Sequence, residues 1–262
     1  PSMASLGRLY DNDSRKAKKL VALIGWLISK ELGGCNIDFS FTPVLDVNHG
    51  NSSVIGDRSF HSEILPVEEL GKCLIKGLDS GGMQAIGKHF PGHGFISEDT
   101  HHEKGEDKRL FSEIEKSDLS VFGTLVKSGI QGIMPSHIVY SLCELKPTGS
   151  SKLWLQKQLR DSMNFKGAIF SDDMSMKAAV YSEKNITLRV TEALLAGCDM
   201  VLVCNSPQEV DEILKNLNWE NDKTTIMRLS KMKLNKKKNN VDNFLGFNLS
   251  QIQSMVKKMT EQ

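Results

Sequence analysis

Apolar residues recur along this chain in two alternating rhythms. From Asp13 to Leu32 they fall at helical spacing, with Asp13 or Ser14 placed to cap the first turn and Gly33-Gly34 to stop the last. Ile37 to Leu45 alternates at first and then turns apolar toward Asp46, as a strand does on entering a loop, and a long loop runs on from His49 to Phe60. The order of helix, small turn and short buried strand then repeats. The spacing predicts helices over 67–80, 110–128, 153–163 and 186–196, with strands over 83–89, 130–134, 167–170 and 200–204. Such alternation predicts an α/β fold with a parallel sheet under helices, either a closed (β/α)8 TIM-type barrel or an open doubly wound sheet. Asp46, His89, His137, Asp172 and Asn205 stand at or just after the C-terminal ends of different strands. A barrel brings all such ends to one mouth, whereas an open sheet uses only those beside its switch point, so the barrel is preferred.

Composition narrows the partners more than the fold. The chain has 262 residues, 39% of them hydrophobic, which is enough for a substantial core. Its 33 Lys and Arg nearly balance 32 Asp and Glu, leaving a formal charge of +1 and no one-sign field to gather nucleic acid or an anionic membrane. Five dispersed cysteines without a CxxC pair argue against a disulfide framework or structural zinc, and favour a reducing cytoplasm. The apolar run from Leu20 to Ile28 is too short to span a bilayer and reads as a buried helix. From Lys223 onward the sequence turns Lys- and Asn-rich, which divides the chain into residues 1–222, a barrel domain, and 223–262, a solvated tail with helical segments. Pro1 to Leu6 reads as the middle of a loop, as in a fragment of a longer product.

One stretch concentrates the chemistry. Lys88-His89-Phe90-Pro91-Gly92-His93-Gly94 leaves a strand end through two glycines that permit tight backbone turns, and so can carry Asp99 and His101 over a pocket. A carboxylate two residues from a histidine can fix its tautomer and stabilise its protonated form, although Asp-x-His by itself recurs by chance in surface loops. The crowding of His89, His93, Glu98, Asp99, His101 and His102 also admits a metal. Against it stand the absence of a His-Glu-x-x-His helix and the Pro and Gly content, which keeps His89 and His93 off one helical face. Further on, Asp172 and Asp173 follow a buried strand directly. Side chains alternate there, so one acid points into the mouth and the other, Asp173 by preference, serves as a helix N-cap.

These motifs, with Phe41-Thr42-Pro43-Val44-Leu45-Asp46, Val54-Ile55-Gly56-Asp57-Arg58-Ser59-Phe60, Met134-Pro135-Ser136-His137, Phe170-Ser171-Asp172-Asp173-Met174 and Ala196-Gly197-Cys198-Asp199-Met200, resemble in order the blocks of the bacterial β-N-acetylglucosaminidases of glycoside hydrolase family 3, over about residues 1 to 210. The resemblance implies a (β/α)8 barrel in which Asp172 is the nucleophile, His101 the acid/base and Asp99 its partner. It implies that Arg58, Lys88 and His89 hold a terminal N-acetylglucosamine, with Arg58 and Lys88 donating to hydroxyls and the N-acetyl carbonyl. Family members also carry, upstream, the first barrel strands and an Asp-Gln-Glu-Gly-Gly-Arg-Val loop that this sequence lacks, so the barrel is expected without its opening strands.

The implied activity is retaining hydrolysis of N-acetylglucosamine β-linked to anhydro-muramyl peptides during cytoplasmic peptidoglycan recycling, with a small sugar or muropeptide as the partner, no cofactor, no metal, and a monomeric enzyme. A histidine acid/base leaves the acceptor step without a second anion, so phosphorolysis is an alternative. A truncated barrel that binds sugar without turnover is the non-enzyme alternative, and a metal-dependent hydrolase the remaining enzymatic one. If His101 is the proton donor, His101→Ala loses least activity on an aryl glycoside whose leaving group needs no proton; equal losses on good and poor leaving groups would remove it from that role.

Overall fold

The computed structural model describes residues 1–98, 100, 104–180 and 185–260. Along the chain, α1 (Met3–Asn12) and α2 (Ser14–Gly34) lead into β1 (Phe39–Ser40), and α3 (Ile64–Ser80) leads into β2 (Gln84–Phe90). Past β3 (Glu106–Asp107), α4 (Phe111–Lys116) and α5 (Asp118–Lys127) precede β4 (Gly132–Pro135). After β5 (Val139–Tyr140), a π-helix over Leu153–Ser162 precedes β6 (Ala168–Asp173), and α6 (Ile186–Ala196) precedes β7 (Met200–Leu202). The chain continues through α7 (Pro207–Asn216), α8 (Lys223–Ser230), α9 (Lys236–Asn239), the hairpin β8 (Asn243–Phe244) and β9 (Phe247–Asn248), and α10 (Leu249–Thr260).

β1, β2, β4, β6 and β7 form one parallel sheet in that order. Consecutive helix-strand units thus sit side by side, and the sheet curls as an arc of a TIM barrel. Alternation along each strand separates two apolar layers. Ala85, Ile133 and Ile169 belong to the large outer core shared with the helices, including Leu70, Leu74, Phe122 and Leu125. Ile86, Met134, Ala168 and Phe170 face the other way, where Phe170 meets the rings of Phe39 and Phe41 at centroid distances of 5.2 and 5.9 Å. On this inner face the period of two continues from Ile86 to Lys88 and from Phe170 to Asp172. The sheet's pleat therefore delivers one cation and one carboxylate above the inner apolar layer.

Several elements depart from the sequence expectations for local reasons. The opening residues expected as a loop form α1, because Ser2 caps the Ser5 N–H at 3.3 Å and Leu6 is fully buried. The strand expected over 37–45 pairs continuously only at Phe39–Ser40, and Val44 then bridges to Lys88. The helix expected over 110–128 breaks at Ser117, whose φ of −112° and ψ of −103° are not helical. That break starts a new helix at the buried Asp118, which joins a polar cluster with Arg109 and His49. The Leu20–Ile28 run is buried inside α2, and among the described residues no helix is long and apolar enough to cross a membrane.

The Lys/Asn-rich segment is anchored at several points. Asp199 accepts Arg160 and the Ile169 N–H on one oxygen, and Thr225 and Arg228 of α8 on the other, all at 2.8–3.1 Å. Met232 is buried against the inner layer, and Ile252 of α10 packs on Leu23, Trp26 and Leu27 of α2.

α2 and α3 cross with their backbones nearly touching. A Cβ at Gly77 would stand 2.1 Å from the Ala22 carbonyl oxygen and 2.8 Å from the Trp26 nitrogen, and one at Gly25 would stand 2.4 Å from the Leu74 oxygen. Backbone atoms have nowhere to retreat, so Gly77→Ala is expected to destabilise the fold by about 1–3 kcal/mol. An unchanged urea midpoint would contradict this packing.

Candidate active site

A single buried carboxylate organises the end of β2. Asp46 is fully buried; its Oδ1 accepts the backbone N–H groups of His89 (3.1 Å) and His93 (2.7 Å), and its Oδ2 takes His89 Nδ1 at 2.7 Å. Burial pushes the Asp46 carboxyl up, but the field and hydrogen bonds of His89, together with the field of His93, outweigh this and hold it below the usual carboxylate range. An ionised Asp46 can only accept, so His89 Nδ1 carries the proton, and among the described residues Nε2 is the ring atom not committed to the protein.

Lys88 precedes His89 and is half-buried. Burial and the neighbouring Arg58 guanidinium lower its pKa, while Asp172 and Asp46 oppose the shift. Arg58 ends the short turn Gly56–Arg58, with Nη1 donating to the Val54 carbonyl at 3.1 Å. The two cations are thus within electrostatic reach of each other and of the carboxylate on β6.

Asp172 and Asp173 have different surroundings. Asp173 Oδ1 accepts the Ser175 N–H, the Ser175 hydroxyl and the Cys204 N–H at 2.8–2.9 Å, so this carboxylate is consumed in joining the turns after β6 and β7. Asp172 Oδ1 accepts only the Asp173 N–H among the described residues, at 2.8 Å. Burial raises the Asp172 pKa, but His89, that backbone N–H and Lys88 bring it below the ordinary value. A half-buried carboxylate that is ionised, lightly bonded and beside cations is equipped to act as a nucleophile.

The expected dyad of Asp99 and His101 lies outside the described residues. Thr100, between them in sequence, is buried: its hydroxyl meets His93 Nε2 at 2.8 Å and its carbonyl accepts the Ala178 N–H at 3.3 Å. Two clamps hold the loop that begins after Phe90. Tyr140 donates its hydroxyl to the Gly92 carbonyl. Arg109 chelates Asp107, reaches Asp118 at 2.7 Å and stacks its guanidinium 4.1 Å from the centroid of Phe95. The structure thus brings Arg58, Lys88, His89 and Asp172 of the expected set together and adds Asp46 and His93 as their supports. The motif spacing carried no sign of Arg109 and Asp118, which meet only through the break at Ser117. Among the described residues no group of three or more His, Cys, Asp or Glu is placed to hold a metal ion.

The family description "Glycosyl hydrolase family 3 N terminal domain" matches residues 1–232. A protein named beta-hexosaminidase from Methylobacillus flagellatus is 47% identical over 232 residues, covering 88% of this chain and 66% of the relative. One of the same name from Nitrosospira multiformis is 42% identical over 233 residues, covering 89% and 66%. The chain thus spans just under two thirds of the length of these curated relatives. Among solved structures, NagZ from Neisseria gonorrhoeae in complex with N-trifluoroacetyl-D-glucosamine superposes with a TM-score of 0.91 at 38% identity, over 100% of this chain and 76% of that one.

His93 gives the site a measurable pH dependence. Burial and the neighbouring His89 lower its pKa from 6.5 to about 4. Between those values the unfolded chain binds the extra proton, so this contribution to stability is whole above pH 6.5, declines as the pH falls, and is gone below about 4. The full shift corresponds to about 3 kcal/mol. Denaturant titrations at pH 7 and 4.5 are expected to show a smaller pH-dependent loss in His93→Gln than in the unsubstituted protein, and equal losses would rule out a buried neutral His93.

Proposed function

The chain belongs to glycosyl hydrolase family 3, and from that premise we propose that it is a retaining exo-β-N-acetylglucosaminidase acting on terminal β-linked N-acetylglucosamine. The observation that carries this reading is Asp172, an ionised carboxylate with its bonding capacity largely unspent, on the inner face of β6 beside Lys88 and His89. Two further points support it: the relatives named beta-hexosaminidase, and the N-acylated glucosamine bound by the Neisseria gonorrhoeae protein.

In this reading Asp172 attacks the anomeric carbon as the glycosidic bond breaks, forming a glycosyl-aspartate, while His101 gives a proton to the departing oxygen. His101, charged and oriented by Asp99, then takes a proton from water, whose oxygen displaces Asp172 and restores the β configuration. Lys88, Arg58 and the Nε2 of His89 bind sugar hydroxyls and the N-acetyl carbonyl. Such a site discriminates because a wrong ligand leaves its buried polar groups unpaired. The expected natural substrates are N-acetylglucosaminyl-1,6-anhydro-N-acetylmuramyl peptides released in peptidoglycan recycling, and the expected place of action is the cytoplasm.

Asp172→Ala is expected to lower release of N-acetylglucosamine from an aryl β-N-acetylglucosaminide by at least about a thousandfold, because it removes the group that forms the covalent bond. Asp173→Ala is expected to act first on thermal stability. Near-normal turnover by Asp172→Ala would overturn the assignment.

A further inference from the structure

The proposed mechanism leaves one buried histidine at the strand ends without a part. His137 follows β4, is 2% exposed, and points Nε2 at the carbonyl oxygen of Asp173 from 3.0 Å. That carbonyl can only accept, so Nε2 carries the proton and Nδ1 is a bare lone pair. Among the described residues Nδ1 is buried without a partner, with its ring against Gly149. A buried unsatisfied acceptor costs about 1–3 kcal/mol, which an apolar side chain of similar size would avoid. The imidazole's compensating contribution in this structure is its bond to Asp173.

The location of that bond gives it a role. The β4–β6 ladder pairs Gly132 with Ala168 and Ile133 with Ile169 and then stops, three residues before Asp172. On its other side β6 stays tied to β7: Leu202 N–H donates to the Ser171 hydroxyl at 2.9 Å, Met174 N–H to the Leu202 carbonyl at 2.8 Å, and Cys204 N–H to Asp173. Among the described residues, the hydrogen bond from His137 is the one that holds the end of β6 from the β4 side. Asp173 in turn donates its own N–H to Asp172 Oδ1 at 2.8 Å.

We propose that His137 is a positioning residue for the Asp172 carboxylate: it fixes the Asp173 carbonyl, and Asp173 aims the carboxylate through its N–H. This rests on the reading of Asp172 as the nucleophile. The neutral state required of the imidazole agrees with its burial, which lowers its pKa against the opposing fields of Asp172 and Asp173. A carboxylate left to rotate would still neighbour the bound sugar while losing its line to the anomeric carbon, so the loss falls on kcat and spares KM.

The test compares His137→Leu, which removes the donor and fills the space, with His137→Gln, which returns an N–H at similar reach. On an aryl β-N-acetylglucosaminide, His137→Leu is expected to lower kcat on the order of ten- to a hundredfold with KM within about twofold, and His137→Gln to recover most of the loss. Wild-type kcat in the Leu variant, no recovery in the Gln variant, or a loss confined to KM would each overturn the proposal. If the unsubstituted protein releases no N-acetylglucosamine, the functional reading fails by itself, and His137 is then judged by imidazole nitrogen NMR of the folded protein. A neutral ring protonated on Nε2 from pH 5 to 8 supports the proposed bond, and protonation on Nδ1 overturns it.

Discussion

The site depends on one buried anion. Asp46 has no contact with solvent, and its two oxygens gather the backbone and ring of His89 and the backbone of His93. An isolated carboxylate there would be prohibitive, and it persists because three donors meet it: the N–H groups of His89 and His93 and the His89 ring. One bond sets the tautomer of His89, while another fixes the backbone from which the His93 ring reaches Thr100. The loop after β2 thus leaves the barrel mouth on a course set by a residue that need not touch substrate.

A second constraint is the pleat of β6. Ala168 and Phe170 fill the inner apolar layer, so Asp172, two residues on, rises above it, while Ser171 turns to β7 and Asp173 to the turns beyond. Adjacent acids are separated by geometry into one saturated with donors and one that, among the described residues, accepts a single N–H. Lys88 reaches the same face by the same count from Ile86. The inner apolar layer and the charged groups are consequences of one periodicity, and slipping either strand by one residue would exchange them with the outer core.

That periodicity is why much of this was legible in the sequence. The helix and strand alternation gave the parallel sheet, and the spacing around Asp172 separated it from Asp173 in advance. The ordered motifs named Arg58, Lys88 and His89 as neighbours. What stayed hidden depends on bonds between residues distant along the chain. The break at Ser117 is invisible in an apolar pattern that continues through it, and the contacts it permits, Asp118 with Arg109 and His49, leave no mark on that pattern. Similarly, His137 read only as a polar residue at a strand end. Its importance lies in a carbonyl 36 positions away, which residue types alone cannot indicate.

The C-terminal segment shows the same limit from the other direction. Its lysines and asparagines predict a solvated tail, yet a few of its residues reach deep into the fold. β1 and β7 are the edges of the described sheet, where an eight-stranded barrel would continue around the circle. Beneath the site, the inner face that such closure would cover is packed by Phe39, Phe41, Phe170 and the buried Met232, with Leu229 beside them. Arg228, one helical position before Leu229, is bonded to Asp199, which also takes the Ile169 N–H and so grips β6 near its base. The strand that bears Asp172 is therefore held at its foot through a segment whose composition suggests no structural part, and at its tip by Asp173.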